Sequence, residues 1–350
     1  MSGGGKMEKP IEEKRYPAID GLRSFGAFAI VLFHIVNKLL FTFLIPGGDK
    51  LEVFLSSFVS LFMMISAFSL CCGYYEKIKE NKITLNDFYK KRYLRILPLF
   101  LIMVLSDILF SGISKNNLFE GFANVTLLFG FLPHKHVEIL GVGWTIGVIF
   151  AFYLLFPFFV FATWNKKRAW LFLIVSLLLR YVSLNYFFDK DIEVVHSFIV
   201  WIPYFVLGII LYQYKDTLTK LLFKIRYLLW VVCIGLLTLK YINPSLLGRN
   251  IYDFYRILSD ASLLMVAIVS SSLLLSNKVT KFLGNISFEI YIIHMIFVNI
   301  IFKILKLNEK ITDLYVSAAV LFAIVIIFSI ISSIIWKKVN EMIKKIRYNK

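Results

Sequence analysis

Charge and cysteine are scarce in this chain, and each shortage excludes a class of protein. Only 17% of the 350 residues are charged, whereas 59% are hydrophobic, and a soluble domain is closer to one-half apolar. The three cysteines, Cys71, Cys72 and Cys233, all lie inside apolar runs, which argues against a disulfide framework and favours a packing role. The composition therefore predicts a membrane protein that crosses the bilayer many times.

Acidic residues are also few: the chain has 22 Asp and Glu compared with 39 Lys and Arg, so its net charge is +17. The positive charge lies in short segments between apolar runs, which is typical of cytoplasmic loops. A nucleic-acid partner is therefore not expected. Most of the basic residues fall on one side when the N-terminus is placed inside, so we expect a multi-pass plasma-membrane protein with both termini in the cytoplasm.

The apolar runs predict an all-α fold, a polytopic bundle of about ten transmembrane helices. The predicted spans are 20–44, 53–74, 94–110, 143–163, 170–187, 196–214, 227–242, 252–276, 283–305 and 314–336. A shorter apolar stretch, 118–132, is expected to form either a surface helix on the extracellular side or a re-entrant segment. Residues 1–18 and 338–350 are expected to be cytoplasmic tails on either side of a membrane domain, 19–337.

The first predicted span contains a cation and an imidazole, Arg23 and His34. Eleven residues amount to three helical turns plus about 20°, so both side chains share one face, about 16 Å apart along the axis. Ionisable groups in a span are costly and usually face a cavity or a partner. Arg23 is expected near one membrane surface and His34 near the middle of the bilayer.

Six short motifs occur along the chain in a fixed order. They are Tyr16–Arg23 followed by His34, Phe62–Phe68, Phe88–Pro98, Trp144 with 152–157, Tyr204–Tyr212 and Ile286–His294. Together they resemble the motifs of acyltransferase family 3, membrane proteins that acylate sugars of bacterial surfaces and some small molecules. The resemblance implies that 19–337 is a transmembrane acyltransferase domain. One position departs from the pattern, because family members usually carry a Glu where this chain has Ile149.

The missing carboxylate leaves two interpretations open. Either another acid substitutes for it, or this member is altered in activity. The acids in or near the spans are Asp20, Asp107, Asp260 and Glu289, and the sequence does not choose among them.

The resemblance implies an acyl-coenzyme A donor, with acetyl as the default acyl group and succinyl as the alternative. His34 suits the role of general base or nucleophile, because its ordinary pKa lies near working pH, and Arg23 shares the site. Arg92 and Arg95 are three residues apart, so they share a helix face. Arginine forks suit phosphates, and we expect Arg23, Arg92 and Arg95 to bind the donor if the first and third spans are neighbours.

Three further residues are candidates for substrate binding, and each has a plainer alternative. Ser66 would also suit an interhelical hydrogen bond. Trp144 would also suit the role of an interfacial anchor, and His294 that of a packing residue. No metal site is expected, since His134 and His136 read as part of a solvated loop.

The predicted function is therefore transfer of an acyl group from cytoplasmic acetyl-CoA to a hydroxyl of a cell-surface glycan or its lipid-linked precursor. Membrane lipids and glycan-assembly or export proteins are the other expected partners. Two alternatives stay open: a transporter or flippase of a glycan or lipid-linked sugar, and a degenerate acyltransferase in a glycan-assembly complex. The sequence shows no inverted repeat, which many transporters have.

Overall fold

The computed structural model describes residues 16–43, 48–131, 139–188, 194–242, 249–270, 272–305 and 314–348. This part of the chain contains helices and no strands, which confirms the all-α prediction. The α-helices are α1 Pro17–Phe43, α2 Gly48–Ser56, α3 Phe58–Lys79, α4 Leu85–Ser111, α5 Lys115–Thr126, α6 Gly143–Ala162, α7 Lys166–Val182, α8 Phe198–Leu222, α9 Arg226–Ile242, α10 Arg249–Val269, α11 Lys278–Leu305 and α12 Leu314–Tyr348.

Eight stretches within the described ranges are long and apolar enough to cross a membrane. One of them, Phe198–Ile242, is 45 residues long and holds both α8 and α9. Helix α10 is not among the eight, and it carries Asp253, Arg256 and Asp260 within its length. Each of the ten predicted spans nevertheless coincides with a helix, the second with α2 and α3 together. The chain is a multi-pass membrane protein.

Two segments outside the predicted spans are helical within the described ranges. The short apolar stretch 118–132 overlaps α5, whose Phe119 and Phe122 are exposed. Helix α12 continues to Tyr348 through most of the predicted C-terminal tail. Residues 1–15 of the predicted N-terminal tail lie outside the described ranges, and α1 begins at Pro17.

Local sequence explains several helix starts. Thr84 precedes α4 and accepts a hydrogen bond from the Asp87 N–H, and Asn165 precedes α7 and accepts one from the Arg168 N–H. Such caps satisfy N–H groups that have no partner inside the helix. Pro98 lies inside α4, where membrane helices accommodate proline through neighbouring helices.

Close approach of α1 and α11 sets the centre of the bundle. A Cβ at Gly284 would lie 2.1 Å from the carbonyl oxygen of Asp20, so only glycine allows the two backbones to meet there. Apolar residues on both sides of this contact, among them Ala27 and Ile286, are fully buried. The contact fixes where the first turns of α1 lie relative to α11.

Buried charged side chains connect the helices that lie farther from this contact. Lys240 of α9 and Asp260 of α10 form an ion pair at 3.0 Å with both side chains 1% exposed, and Ser60 of α3 also donates to Asp260. Arg180 of α7 pairs with Asp253 at 2.7 Å. Sequence reasoning did not predict these interactions, which connect α3, α7 and α9 to α10.

Candidate active site

A cavity of about 640 Å³ lies between α1, α3, α4, α6 and α11. Four of the predicted site residues line it: Arg23, Ser66, Arg92 and Arg95. Helices α1 and α4, which hold the first and third predicted spans, therefore both line this cavity. The three arginines come from two helices and meet at one volume, which α3, α6 and α11 complete.

Each of the three guanidinium groups has a different setting. Arg23 pairs with Asp20 of its own helix at 3.3 Å. Arg92 donates to the Tyr74 hydroxyl at 2.7 Å, and its guanidinium lies 4.7 Å from the centre of that ring. Arg95 pairs with Glu289 at 3.1 Å, and its side chain is 45% exposed whereas that of Glu289 is 2% exposed. Glu289 thus binds Arg95 from the buried side, while part of the Arg95 side chain stays exposed.

Acidic groups are scarce in the cavity wall. Asp20 is the one carboxylate among its lining residues, beside three arginines. Ile149, which occupies the position of the family's usual Glu, also lines the cavity. Of the remaining candidate acids, Glu289 pairs with Arg95 of the cavity wall, whereas Asp107 accepts from the Leu140 N–H at 2.7 Å and Asp260 pairs with Lys240. Three guanidinium groups and two paired carboxylates, Asp20 and Glu289, leave this site with a net positive charge among the described residues, which suits a phosphate-bearing ligand.

His34 and His294 form a close pair beside the cavity. Their ring centroids are 5.3 Å apart, and neither residue is among the cavity's lining. His294 is fully buried; its Nδ1 lies 3.3 Å from the carbonyl oxygen of Ile290, and its Nε2 has no hydrogen-bond partner among the described residues. His34 is half-buried. An imidazole with an unpartnered nitrogen is able to accept or donate a proton.

Tyr291 connects the cavity with the histidine pair. It lines the cavity, its hydroxyl lies 2.6 Å from Oγ1 of Thr145, and its ring centre is 5.9 Å from that of His294. The chain of contacts therefore runs from the cavity through Tyr291 and His294 to His34. Sequence reasoning did not select Tyr291, although its position three residues before His294 places it on the same helix face.

The remaining predicted site residues lie in different surroundings. Ser66 lines the cavity from α3. Trp144 does not line it, and instead packs on His196 at 5.2 Å and stacks with Trp201 at 6.0 Å between ring centroids. The loop with His134 and His136 lies outside the described ranges. Within those ranges no three His, Cys, Asp or Glu residues are grouped as metal ligands would be.

Comparison with known proteins agrees with the motifs. A family model described as an acyltransferase domain matches residues 16–336. The chain belongs to acyltransferase family 3. The matched range contains every residue of the cavity and both histidines.

Two known proteins are similar to part of this chain. Acyltransferase MdmB of Streptomyces mycarofaciens is 28% identical over 160 residues, which cover 42% of this chain and 40% of the relative. O-acetyltransferase OatA of Staphylococcus aureus is 26% identical over 172 residues, which cover 43% of this chain and 26% of the relative. The matches thus cover well under two thirds of either relative's length. No solved structure matches the chain.

Proposed function

We propose that this family member is an integral membrane O-acyltransferase. It moves an acyl group, acetyl by default, from cytoplasmic acyl-CoA to a hydroxyl of a cell-surface glycan or its lipid-linked precursor. The observation that carries the proposal is the cationic cavity beside the His34–His294 pair in a chain of this family. The relative OatA is named as an O-acetyltransferase, and this favours acetyl as the transferred group.

The donor's phosphates are the part of acyl-CoA that the arginines suit. Arg23, Arg92 and Arg95 line one cavity with Asp20 as the one carboxylate of that lining. Guanidinium groups form paired hydrogen bonds with phosphate oxygens. The pantetheine arm then extends past Ile149 and Tyr153 toward Tyr291, which places the thioester at the end of the cavity nearest the histidines.

The acceptor hydroxyl oxygen attacks the thioester carbonyl carbon, and the C–O bond forms as the C–S bond breaks. One imidazole nitrogen of the His34–His294 pair takes the hydroxyl proton and returns it to the leaving thiolate of coenzyme A. His34 is the base in this scheme, with the His294 ring 5.3 Å away between centroids. Because neither histidine lines the cavity, the scheme requires the acceptor hydroxyl to pass the Tyr291 side chain to reach His34. Since Tyr291 lies against His294 and lines the cavity, its side chain controls access of the acceptor to the pair.

The orientation follows from the basic segments. The first three turns of α4 carry Lys90, Lys91, Arg92 and Arg95, and they belong on the cytoplasmic side under the positive-inside rule. The end of the cavity that holds the arginines then faces the compartment where acyl-CoA is made. Both chain termini are cytoplasmic in this arrangement.

Radiolabel transfer with purified protein tests the proposal. The protein is placed in lipid nanodiscs with acetyl-CoA labelled on the acetyl group and a set of glycan and lipid-linked sugar acceptors. We expect label to appear in an acceptor and coenzyme A to be released in equal amount. The same protein in sealed lipid vesicles tests the alternative: movement of a lipid-linked sugar across the vesicle membrane, with no label in any acceptor, would favour the transporter and overturn the acyltransferase.

A degenerate acyltransferase is a second candidate that one observation favours. Ile149 lines the cavity where the family usually has a Glu, and the lining's one carboxylate, Asp20, is paired with Arg23. Binding of acetyl-CoA without label transfer to any acceptor would support this candidate.

A further inference from the structure

A second cavity, of about 540 Å³, lies among the ends of α3, α6 and α8 and the start of α7. Its lining holds four lysines and one carboxylate, Glu76. The lysines are Lys79, Lys166, Lys167 and Lys215. This lining therefore carries a net positive charge among the described residues, and the proposed acyl transfer uses none of its residues.

Aromatic rings hold two of these ammonium groups in place. Lys79 Nζ lies 5.2 Å from the centre of the Trp164 ring, and Lys215 Nζ lies 4.0 Å from that of Tyr212. A cation over a ring keeps its N–H donors, of which a lysine has three. Lys79 uses one donor on the Trp164 carbonyl at 3.3 Å, and Lys215 lies 3.8 Å from Asp216. Both therefore retain donors for a ligand.

Two further features of the wall suit an anion that also carries a hydroxyl or amino group. The cavity includes Asn165, the cap of the 17-residue helix α7, where the backbone N–H groups and the helix dipole favour negative charge. Gln213 uses its Nε2 on the Tyr75 hydroxyl and the Thr163 carbonyl, but its buried Oε1 has no partner among the described residues. An unsatisfied buried acceptor is costly, so a ligand donor there would be favourable.

A single layer of rings separates the two cavities. Phe68 lines the first and Tyr212 the second, and their ring centroids are 6.1 Å apart. Both cavities lie on the side of the bundle where α1 begins and α3 ends, since Tyr16 and Tyr74 line the first while Tyr75 and Lys79 line the second. A phosphate bound to the lysines would therefore lie close to a ligand in the arginine cavity.

We propose that the second cavity binds a phosphate ester on the side of the membrane where the arginine cavity opens. Two molecules carry such a phosphate ester: an acyl-CoA donor, in its 3′-phosphate, and an anionic phospholipid, in its headgroup. The first source rests on the proposed function, whereas the second does not. In both cases Lys79 and Lys215, which line the cavity from α3 and α8, bind the phosphate.

The test compares wild-type protein with the double variant Lys79→Gln/Lys215→Gln, which removes two charges and keeps a polar side chain at each position. The matched control is Lys220→Gln/Lys224→Gln, which removes two exposed lysines near the same end of α8 that do not line the cavity. Lys79→Arg/Lys215→Arg restores the charge. Gel filtration and thermal melting establish that each variant is folded, and Lys215→Gln alone replaces the double variant if that one unfolds.

Two measurements distinguish the sources. In nanodiscs of phosphatidylcholine, calorimetry compares coenzyme A with 3′-dephospho-coenzyme A. Native mass spectrometry counts phosphatidylglycerol that stays bound to protein purified from mixed lipid. If the nucleotide is the source, the glutamine variant binds coenzyme A about tenfold more weakly and binds the dephospho form as the wild type does. If the lipid is the source, it loses bound phosphatidylglycerol and keeps its affinity for coenzyme A.

The control and the arginine variant should behave as the wild type in both measurements. A glutamine variant that matches the control in both would overturn the proposal. Wild-type protein that binds no coenzyme A would instead count against the proposed acyl donor, while the lipid measurement would still decide whether the second cavity binds phosphate.

Discussion

The imidazole rings of His34 in α1 and His294 in α11 lie 5.3 Å apart between their centroids. The two residues are far apart in the chain, and the close approach of α1 and α11 at Gly284 brings their helices together. This pair lies next to Tyr291, which lines the arginine cavity. The mechanism proposed above depends on this geometry.

Replacing His34 by Ala should abolish acyl transfer without loss of folded protein in the membrane, because His34 takes the acceptor's proton in the proposed scheme. Label transfer from acetyl-CoA measures the effect. Asn37→Ala is the matched control, since Asn37 lies one turn further along α1 and donates to Glu52 away from the cavity lining. Normal turnover in His34→Ala would remove His34 from the mechanism.

Arg92→Ala and Arg95→Ala should each weaken acetyl-CoA binding about tenfold, because each removes a guanidinium from the cavity wall. Acceptor binding should change much less. Lys90→Ala and Lys91→Ala remove exposed charges of the same segment and should leave donor affinity within about twofold. Calorimetry on all four variants measures this. An unchanged donor dissociation constant in both arginine variants would mean that these residues serve only to orient the chain in the membrane.

Ile149→Glu should raise the transfer rate about tenfold, because it returns a carboxylate to the cavity wall at the family's usual position. Ile149→Gln supplies a side chain of the same length without the charge and should not raise the rate. Initial rates of label transfer compare the two variants with the wild type. Equal rates in all three would show that another residue fulfils the role of the family's Glu.

Lys240→Met should lower the free energy of unfolding by about 3 kcal/mol, because it leaves the Asp260 carboxylate buried without its cation. The double variant Lys240→Met/Asp260→Asn should recover most of this loss, since no charge then remains in the pair. Unfolding in mixed detergent micelles gives both values. Lys278→Met, at an exposed position, serves as the control and should stay within about 0.5 kcal/mol of the wild type. A single variant as stable as this control would show that the pair contributes little.

Much of the fold was predictable from the sequence, because an apolar run of span length indicates a helix wherever it packs. All ten predicted spans coincide with helices, and the boundaries differ where a cap such as Thr84 or a polar extension such as that of α12 starts or lengthens a helix. The grouping of Arg23, Arg92 and Arg95 followed from the motifs together with the expected neighbourhood of two spans, and the cavity contains all three.

Other parts of the site were not predictable from local pattern. Periodicity placed Arg23 and His34 on one face of α1, but it did not show that the lining of the cavity includes Arg23 and not His34. It also placed Trp144 at a span's start without showing that its ring would stack on Trp201. Glu289 was considered as a candidate acid, yet its salt bridge to Arg95 depends on the packing of α4 against α11.

The sequence by itself determined the helices, their membrane character and the family, because hydropathy and motif order are properties of local segments. The tertiary structure alone decided which buried charges and imidazoles meet, as in the pairs Lys240–Asp260 and His34–His294. A helix's amino-acid pattern specifies which of its faces is buried, but the identity of the neighbour on that face depends on how all the helices pack together.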